Sequence, residues 1–453
     1  MKIKSNKATK IWKTRQNVPK LLNQTTKMLL SMREWPRMHS RIVVRVISSA
    51  TRTISKPDFP RSASQYRTSM LGVGKHRTNQ LTIQDAHEQN LGRTMCTSTS
   101  STIGNLSVPL TIGKNEIREF MAVYPDVVSE LTEFANRYES KVAANWFEKA
   151  LQYNLSPTNM KNSVITVLTY KHLVKGDQLT AENLRLAHLL GWCLELLHSV
   201  ILITDDIVDN STTRRGQFCW YKLEDVGFNA VNDAFMIENG IYELLKKHFR
   251  HLDCYVDQVE LFRQSTFKFI SGQTMDMLVG RRSVTTFTRN IYNEIVMNKT
   301  ASYFFYLPMA LALHLANVKD QQIFSECKTI SIELGKFYQV QNDFLDCFGN
   351  PDFTGRIGTD IEANKCTWLA VTCMELANPG QKSVMEECYG QSDPEKVARV
   401  KQLYEELNMP SLYAKHEEET YNRIKTLIQQ ASVKVPREAL QEILNGVYQK
   451  GII

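Results

Sequence analysis

Apolar residues recur at three- and four-residue spacing along most of the chain from about residue 115 onward. In residues 117–139 and 142–153 this spacing predicts amphipathic helices. Thr180, followed by Glu182 and then a long apolar run, predicts a capped helix start. Residues 393–407 place opposite charges at helical spacing, which predicts a surface helix. Since alternating strand patterns are scarce, the sequence predicts an all-α fold.

Two apolar runs are longer than the others, at residues 189–204 and 300–318. The first contains Glu195 and His198 and leads directly into aspartates, while the second is interrupted by Pro308. Such runs are more typical of helices buried on all sides in a large core than of membrane spans. We therefore predict no integral membrane segment and one all-α domain over residues 109–453.

The first hundred residues differ in composition from the rest of the chain. They carry 19 Lys and Arg against four acids, whereas the remainder carries 36 basic and 43 acidic residues. Arg33, Arg37, Arg41 and Arg45 would form one basic stripe on a helix. Residues 1–108 are thus predicted to be a disordered leader and linker with a mitochondrial transit peptide. The alternatives are a basic tail in a cytoplasmic protein or a nucleic-acid arm; sparse aromatics argue against nucleic acid.

The nine cysteines are scattered and show no Cys-x-x-Cys spacing. A disulfide framework or a zinc site is therefore not predicted, and a reducing compartment is the default.

Acidic and amide residues form two clusters within the helical region. They are Asp205, Asp206 and Asp209 in the first, and Asn342, Asp343 and Asp346 in the second. On a helix, carboxylates three or four residues apart project from one face and repel each other unless a cation lies between them. Oxygen ligands from two facing helices suit Mg²⁺, which commonly shares its shell with substrate phosphates. We predict a magnesium site.

Basic residues accompany both clusters. Arg214 and Arg215 follow the first cluster, Lys299 opens the helix predicted for the second apolar run, and Arg356 and Lys365 follow the second cluster. Arginine and lysine beside Mg²⁺ can hold a diphosphate. Each residue taken singly fits an ordinary surface position, but together they predict a diphosphate site.

The chain resembles the trans-prenyl diphosphate synthases, specifically the animal farnesyl diphosphate synthases, over residues 120–430. The motifs that carry the resemblance include "LITDDIVDNSTTRRG", "GQTMDML", "KTASYFFYLP" and "GKFYQVQNDFLDCFGN". The resemblance implies the all-α isoprenoid synthase fold, a homodimer, and three Mg²⁺ ions with an allylic diphosphate bound. It assigns the diphosphate to Arg214, Lys299 and Arg356, and places Thr300 and Gln339 along the carbocation's path.

The chain departs from that family where isopentenyl diphosphate, the second substrate, would bind. The family's "GGKxxR" loop is replaced here by Pro157, Thr158, Asn159 and Asn162. The C-terminal tail "GVYQKGII" carries one lysine. Two formal charges and the glycines that admit phosphate to the backbone are lost, while His198 and Arg215 remain.

These observations predict ionisation without condensation, so the chain looks like the insect terpene synthases that descend from farnesyl diphosphate synthases. Val200 and Ile201, small for the family's chain-length positions, favour farnesyl over geranyl diphosphate and a sesquiterpene product. Asn342 is interpreted as a retuned metal ligand. Aromatic residues that could stabilise the cation, or simply form core, are Trp192, Tyr303, Phe304, Phe305, Tyr338 and Phe344.

Two alternatives stay open. One is a true farnesyl or geranyl diphosphate synthase whose second site is rebuilt from Lys161, His198 and Arg215. The other is a non-catalytic regulatory subunit of a prenyl synthase, although such subunits usually lose the first acidic cluster.

Overall fold

The computed structural model describes residues 114–138, 140–155, 161–350, 354 and 357–449. The predicted leader and linker, loop positions 157–159, Arg356 and the last four residues lie outside these ranges, as do the side chains of Lys161 and Asn162. The regular secondary structure of the described part is helical, apart from one two-stranded hairpin. This confirms the predicted all-α fold.

The first six helices lead from the start of the described chain through the centre of the core. They are α1 Lys114–Ala122, α2 Tyr124–Asn136, α3 Lys141–Asn154, α4 Lys161–Leu173, α5 Ala181–Val208 and α6 Ala230–Phe249. Between α5 and α6, β1 (Thr213–Arg214) and β2 (Gln217–Phe218) form the antiparallel hairpin, with Thr213 opposite Phe218.

The remaining helices complete the domain. They are α7 Tyr255–Val279, α8 Arg289–Val296, α9 Leu307–Leu315, α10 Gln321–Phe348, α11 Trp368–Leu376, α12 Pro379–Cys388, α13 Pro394–Glu406, α14 Met409–Gln430 and α15 Arg437–Tyr448. A π-helix, Met297–Tyr306, joins α8 to α9 without a break.

Helix α5 is the central element of the core. It begins where predicted, with the Thr180 side chain accepting a hydrogen bond from the backbone N–H of Asn183. Its length and apolar composition would suit a membrane span, but 83% of its most apolar window is buried inside the domain. Trp192 on this helix is fully buried, stacks on Phe120 at a centroid distance of 4.8 Å and donates to the Phe120 carbonyl. The run at residues 189–204 is therefore a core helix, as predicted.

The second apolar run differs from its prediction in one respect. It is helical, but Lys299 lies inside a continuous helical segment instead of opening a helix. Within the π-helix the backbone hydrogen bonds span five residues, as from the N–H of Leu307 to the carbonyl of Ser302. The next residue, Pro308, has no N–H to donate, so the change of register falls where a proline would disturb an ordinary helix.

Candidate active site

The first acidic cluster lies at the C-terminal end of α5. Asp205 and Asp209 line a large cavity, whereas Asp206 is buried at 3% exposure on a neighbouring face. The hairpin that follows α5 brings Arg214 back to this end, where its Nε and Nη2 donate to Asp206 Oδ1 at 3.0 and 2.6 Å. Asp206 therefore holds Arg214 at the cavity edge, a role that the sequence analysis did not give it.

The second cluster lies on the last turns of α10. Asp343 is 4% exposed, and its two oxygens accept hydrogen bonds from Gln339 Nε2 and the backbone N–H of Trp368, both at 2.8 Å. Burial raises the pKa of Asp343 to about 6 despite these bonds. Asp346, one turn further, accepts from the backbone N–H of Asp360 at 3.0 Å.

Two lysines connect the first cluster to a carboxylate on α7. Lys299 Nζ lies 2.8 Å from Asp276 Oδ2 and 3.4 Å from Asp205 Oδ1. Lys365 Nζ lies 3.2 Å from the same Asp276 oxygen and 3.1 Å from Asp209 Oδ1. Burial alone would raise the pKa of Asp276, but the two ammonium groups outweigh it and hold that pKa below its usual value.

Asp276 is a site residue that the sequence reasoning missed. It lies within "GQTMDML", a motif used only to support the resemblance. An aspartate among the apolar residues of one helix, 6% exposed here, is the signal that could have identified it.

One cavity of about 680 Å³ brings the two clusters together. Its walls come from α5, the hairpin, α7, α8, the π-helix, α10, the segment between α10 and α11, and α15. Predicted site residues on its lining are Asp205, Asp209, Arg214, Arg215, Lys299, Thr300, Gln339, Asn342, Asp343, Asp346 and Lys365. Of the predicted set, Asp206 lies off this lining, and Arg356 is outside the described chain.

The cavity's oxygen atoms fit a hard divalent cation. Asp205 Oδ1 is buried and accepts no hydrogen bond within the described chain, and the Lys299 ammonium group, 3.4 Å away, is the cation recorded beside it. A metal ion bound at this oxygen would further offset the cost of burying a charged group. Across the described ranges, no three acidic, His or Cys side chains converge closely enough to form a metal site alone. Mg²⁺ keeps several waters and shares its shell with phosphate oxygens. Of the six predicted ligands, Asp206 is paired with Arg214 and both oxygens of Asp343 accept hydrogen bonds from the protein. The residues that would hold the ion are therefore Asp205, Asp209, Asn342 and Asp346.

Aromatic rings form another part of the cavity wall. Tyr303, Phe304 and Tyr338 line the cavity. Phe304 stacks on Tyr338 at a centroid distance of 5.1 Å, and Tyr303 meets Phe304 edge-on at 5.8 Å. Thr300 Oγ1 donates to Gln339 Oε1 at 2.9 Å beside them. Aromatic rings at a cavity wall can stabilise a cationic ligand.

The other aromatic candidates belong to the core. Trp192 and Phe305 are at most 2% exposed, and Phe344 stacks on Tyr413 at 3.9 Å. Val200 and Ile201 were predicted to favour farnesyl over geranyl diphosphate. They are buried in the main core and are not among the described cavity-lining residues.

His198 and Arg215 lie on the cavity where the resemblance places a second diphosphate. Arg215 adopts a left-handed backbone conformation with φ of 54°. Burial lowers the pKa of His198 to about 3, and the charges of Arg215 and Arg214 act in the same direction. His198 is thus neutral at physiological pH, and Arg215 supplies the positive charge of this pair.

Known proteins have sequences similar to this chain. The polyprenyl synthetase family model matches residues 144–407. Farnesyl pyrophosphate synthase of Nezara viridula is 40% identical over 340 residues, which cover 75% of this chain and 84% of that protein. The enzyme of that name from Rattus norvegicus is 41% identical over 345 residues, covering 75% of this chain and 98% of the relative. The chain therefore belongs to the polyprenyl synthetase family of trans-prenyl diphosphate synthases.

Proposed function

We propose that this chain is a Mg²⁺-dependent enzyme that ionises an allylic prenyl diphosphate. The observation that carries the proposal is one cavity whose lining includes residues of both acidic clusters, two lysines, Arg214 and three aromatic rings. Mg²⁺ bound there would neutralise charge that develops on the departing diphosphate.

The chain's own residues would complete the reaction site. Lys299 and Lys365 are held in place by Asp276, and Arg214 is held by Asp206, so these cations need little reorganisation to meet a diphosphate. The rings of Tyr303 and its neighbours would shield the allylic cation from water. Thr300 presents its oxygen, a weak electron donor, to the same region.

We propose first that the allylic cation is used for prenyl chain elongation. In this reaction isopentenyl diphosphate attacks the allylic cation and then loses a proton. Identity of about 40% to farnesyl pyrophosphate synthases, covering 84–98% of those chains, supports elongation over our sequence-based prediction of a terpene synthase. Among the described residues, Arg215 would supply a positive charge that binds the second diphosphate.

A specific observation favours terpene synthesis as a second candidate. Asn159 and Asn162 stand where a second diphosphate needs Lys and Arg, and the neutral His198 adds no positive charge. A cation formed from farnesyl diphosphate that meets no second diphosphate would cyclise, lose a proton or react with water, giving a sesquiterpene hydrocarbon or alcohol.

One assay separates these candidates. The purified full-length chain and its Asp205→Ala variant are incubated with Mg²⁺ and one of three substrates: farnesyl diphosphate, geranyl diphosphate, or isopentenyl plus dimethylallyl diphosphates. Longer diphosphates from the mixture support elongation. Hydrocarbons or alcohols from one allylic diphosphate alone, without elongation, support the second candidate. Absence of turnover in all three would contradict the proposal and favour a regulatory subunit.

We also propose that the chain forms a homodimer through α6 and α7. Phe235 on α6 is 59% exposed, and Phe267, Ile270 and Leu278 on α7 are 73%, 54% and 46% exposed. Exposed apolar side chains concentrated on two neighbouring helices mark an interaction surface, and a second copy of the chain would cover them by two-fold symmetry. Light scattering should give twice the monomer mass for the wild type, and Phe267→Asp should shift it toward the monomer. A monomeric wild type would exclude this interface.

A further inference from the structure

Two glycines touch the π-helix from the helices on either side of it. Gly272 lies on α7 and Gly335 on α10. A Cβ atom at position 272 would lie 2.8 Å from Lys299 Cα and 2.9 Å from the carbonyl carbon of Asn298. A Cβ atom at position 335 would overlap both Cα and Cβ of Ala301. Non-bonded carbons are normally about 3.5–4.0 Å apart, so both positions need glycine because the π-helix backbone comes this close.

The backbone held in this way carries two cavity residues. Lys299 reaches the first acidic cluster, with Nζ 3.4 Å from Asp205 Oδ1. Thr300 reaches the second, since it donates to Gln339, whose Nε2 donates to Asp343 at 2.8 Å. The placement of residues 298–301 therefore fixes side chains that connect both halves of the site.

The π-helix and the two helical glycines do not favour the stability of these helices. A π-helical turn is rare and is frequently found at functional sites, and glycine in a helix interior is less stable than alanine. Here both features occur together, on three neighbouring elements, at the point where Lys299 enters the cavity.

We propose that Gly272 and Gly335 are positioning residues that clamp residues 298–301 and thereby aim Lys299 and Thr300 at the substrate diphosphate and the allylic cation. This inference rests on the proposed function. The two glycines touch no substrate; they act through the backbone between them.

Another buried helical glycine provides a matched control. A Cβ atom at Gly240 on α6 would meet only side-chain atoms, the nearest being Leu131 Cδ2 at 3.2 Å. Gly240→Ala therefore tests the effect of crowding in the core without moving the π-helix.

The experiment compares Gly272→Ala, Gly335→Ala and Gly240→Ala in the full-length chain. Helix content, thermal midpoint, kcat and KM for the allylic diphosphate, and the affinity for inorganic diphosphate with Mg²⁺ are measured. A displacement of about 1 Å can cost about 100-fold in rate. We expect Gly272→Ala and Gly335→Ala to fold and to lose about that factor in kcat, with a smaller change in KM. Gly240→Ala should keep the wild-type kcat.

The two clamp variants would overturn the proposal if they fold and keep kcat and diphosphate affinity within about threefold of the wild type, far below the expected loss. If a single variant does not fold, Gly335→Ala with Ala301→Gly removes the Cβ overlap but leaves the added methyl group at position 335 against the π-helix backbone. A folded double variant with lowered kcat supports the clamp, whereas wild-type kcat, or failure of this variant to fold, assigns the glycines to stability alone. A wild-type chain that binds diphosphate but converts no allylic substrate contradicts the proposed function separately, and the affinities then decide on the clamp.

Discussion

Replacing Glu195 by glutamine should stabilise the protein at pH 8 and leave its stability almost unchanged at pH 4. Glu195 is 2% exposed in the middle of α5 and accepts a hydrogen bond from Ser163. Burial raises the pKa of this carboxyl to about 7, although Ser163 and the nearby Arg215 act in the opposite direction. Glutamine has the same shape and can still accept from Ser163, so the substitution removes mainly the cost of a buried negative charge.

The sign and size of the effect follow from proton linkage. Since the folded state holds this proton more tightly than the unfolded state, the contribution of Glu195 to stability is fully present below its ordinary pKa of 4.5. It is lost as the pH rises through about 7. The difference between these two pKa values corresponds to an upper bound of about 3 kcal/mol. Glutamine also loses the attraction of Arg215, so we expect a gain of roughly 1–3 kcal/mol at pH 8.

Denaturant unfolding of both proteins at pH 4, 6 and 8 measures this difference directly. The other carboxyl groups are common to both proteins, so they cancel when the variant is compared with the wild type at each pH. Glu182→Gln, at the exposed first turn of the same helix, is the matched control and should change the free energy of unfolding by no more than about 0.5 kcal/mol. A pH-independent difference, or a variant less stable than the wild type at pH 8, would refute the conclusion that burial raises the pKa of Glu195.

Four further substitutions test the site and its support. Asp205→Ala should reduce kcat by at least about 1,000-fold, because it removes a metal ligand and leaves Lys299 with one carboxylate fewer; near-normal turnover would exclude this metal site. Asn342→Asp should keep turnover of a single allylic diphosphate but change its dependence on Mg²⁺ concentration; an unchanged metal titration would remove Asn342 from the site. Asp276→Asn leaves two lysines without their shared carboxylate, so steady-state kinetics should show kcat/KM reduced by about 10–100-fold, and an unaltered value would assign Asp276 to folding. Asp233→Asn puts an amide N–H where an indole N–H now donates, so denaturant unfolding should show a loss of about 1–3 kcal/mol with normal activity per folded molecule.

The last prediction concerns a structural network away from the cavity. Asp233 on α6 accepts hydrogen bonds from Trp146 Nε1 and Trp220 Nε1, both at 2.8 Å. It ties α3 and the segment after the hairpin to α6. Because it lies outside the cavity lining, a loss of kcat for folded Asp233→Asn would contradict this purely structural role.

Local sequence patterns were sufficient to predict the α-helices. The apolar run at residues 189–204 became a buried core helix, and Thr180 capped it, because capping and amphipathicity depend on residues only a few positions apart. The two acidic clusters could be paired from sequence because carboxylates at helical spacing repel each other and therefore indicated a shared cation site. Sequence alone was less informative about what happens to the cation, since Asn159 and Asn162 pointed to a terpene synthase while the relatives favour elongation.

The sequence by itself determined the all-α class, the central helix and the polar residues available for chemistry. Only the tertiary structure decided which of them meet. Asp206 lies off the cavity lining and accepts a hydrogen bond from Arg214. Asp276 contacts two lysines that are distant from it in sequence, and the rings of Tyr303 and Tyr338 line the cavity. The π-helix was also evident only at this level, and its backbone lies in close contact with glycines on two other helices. Such contacts are set by packing between elements, which the spacing of residues along one element does not encode.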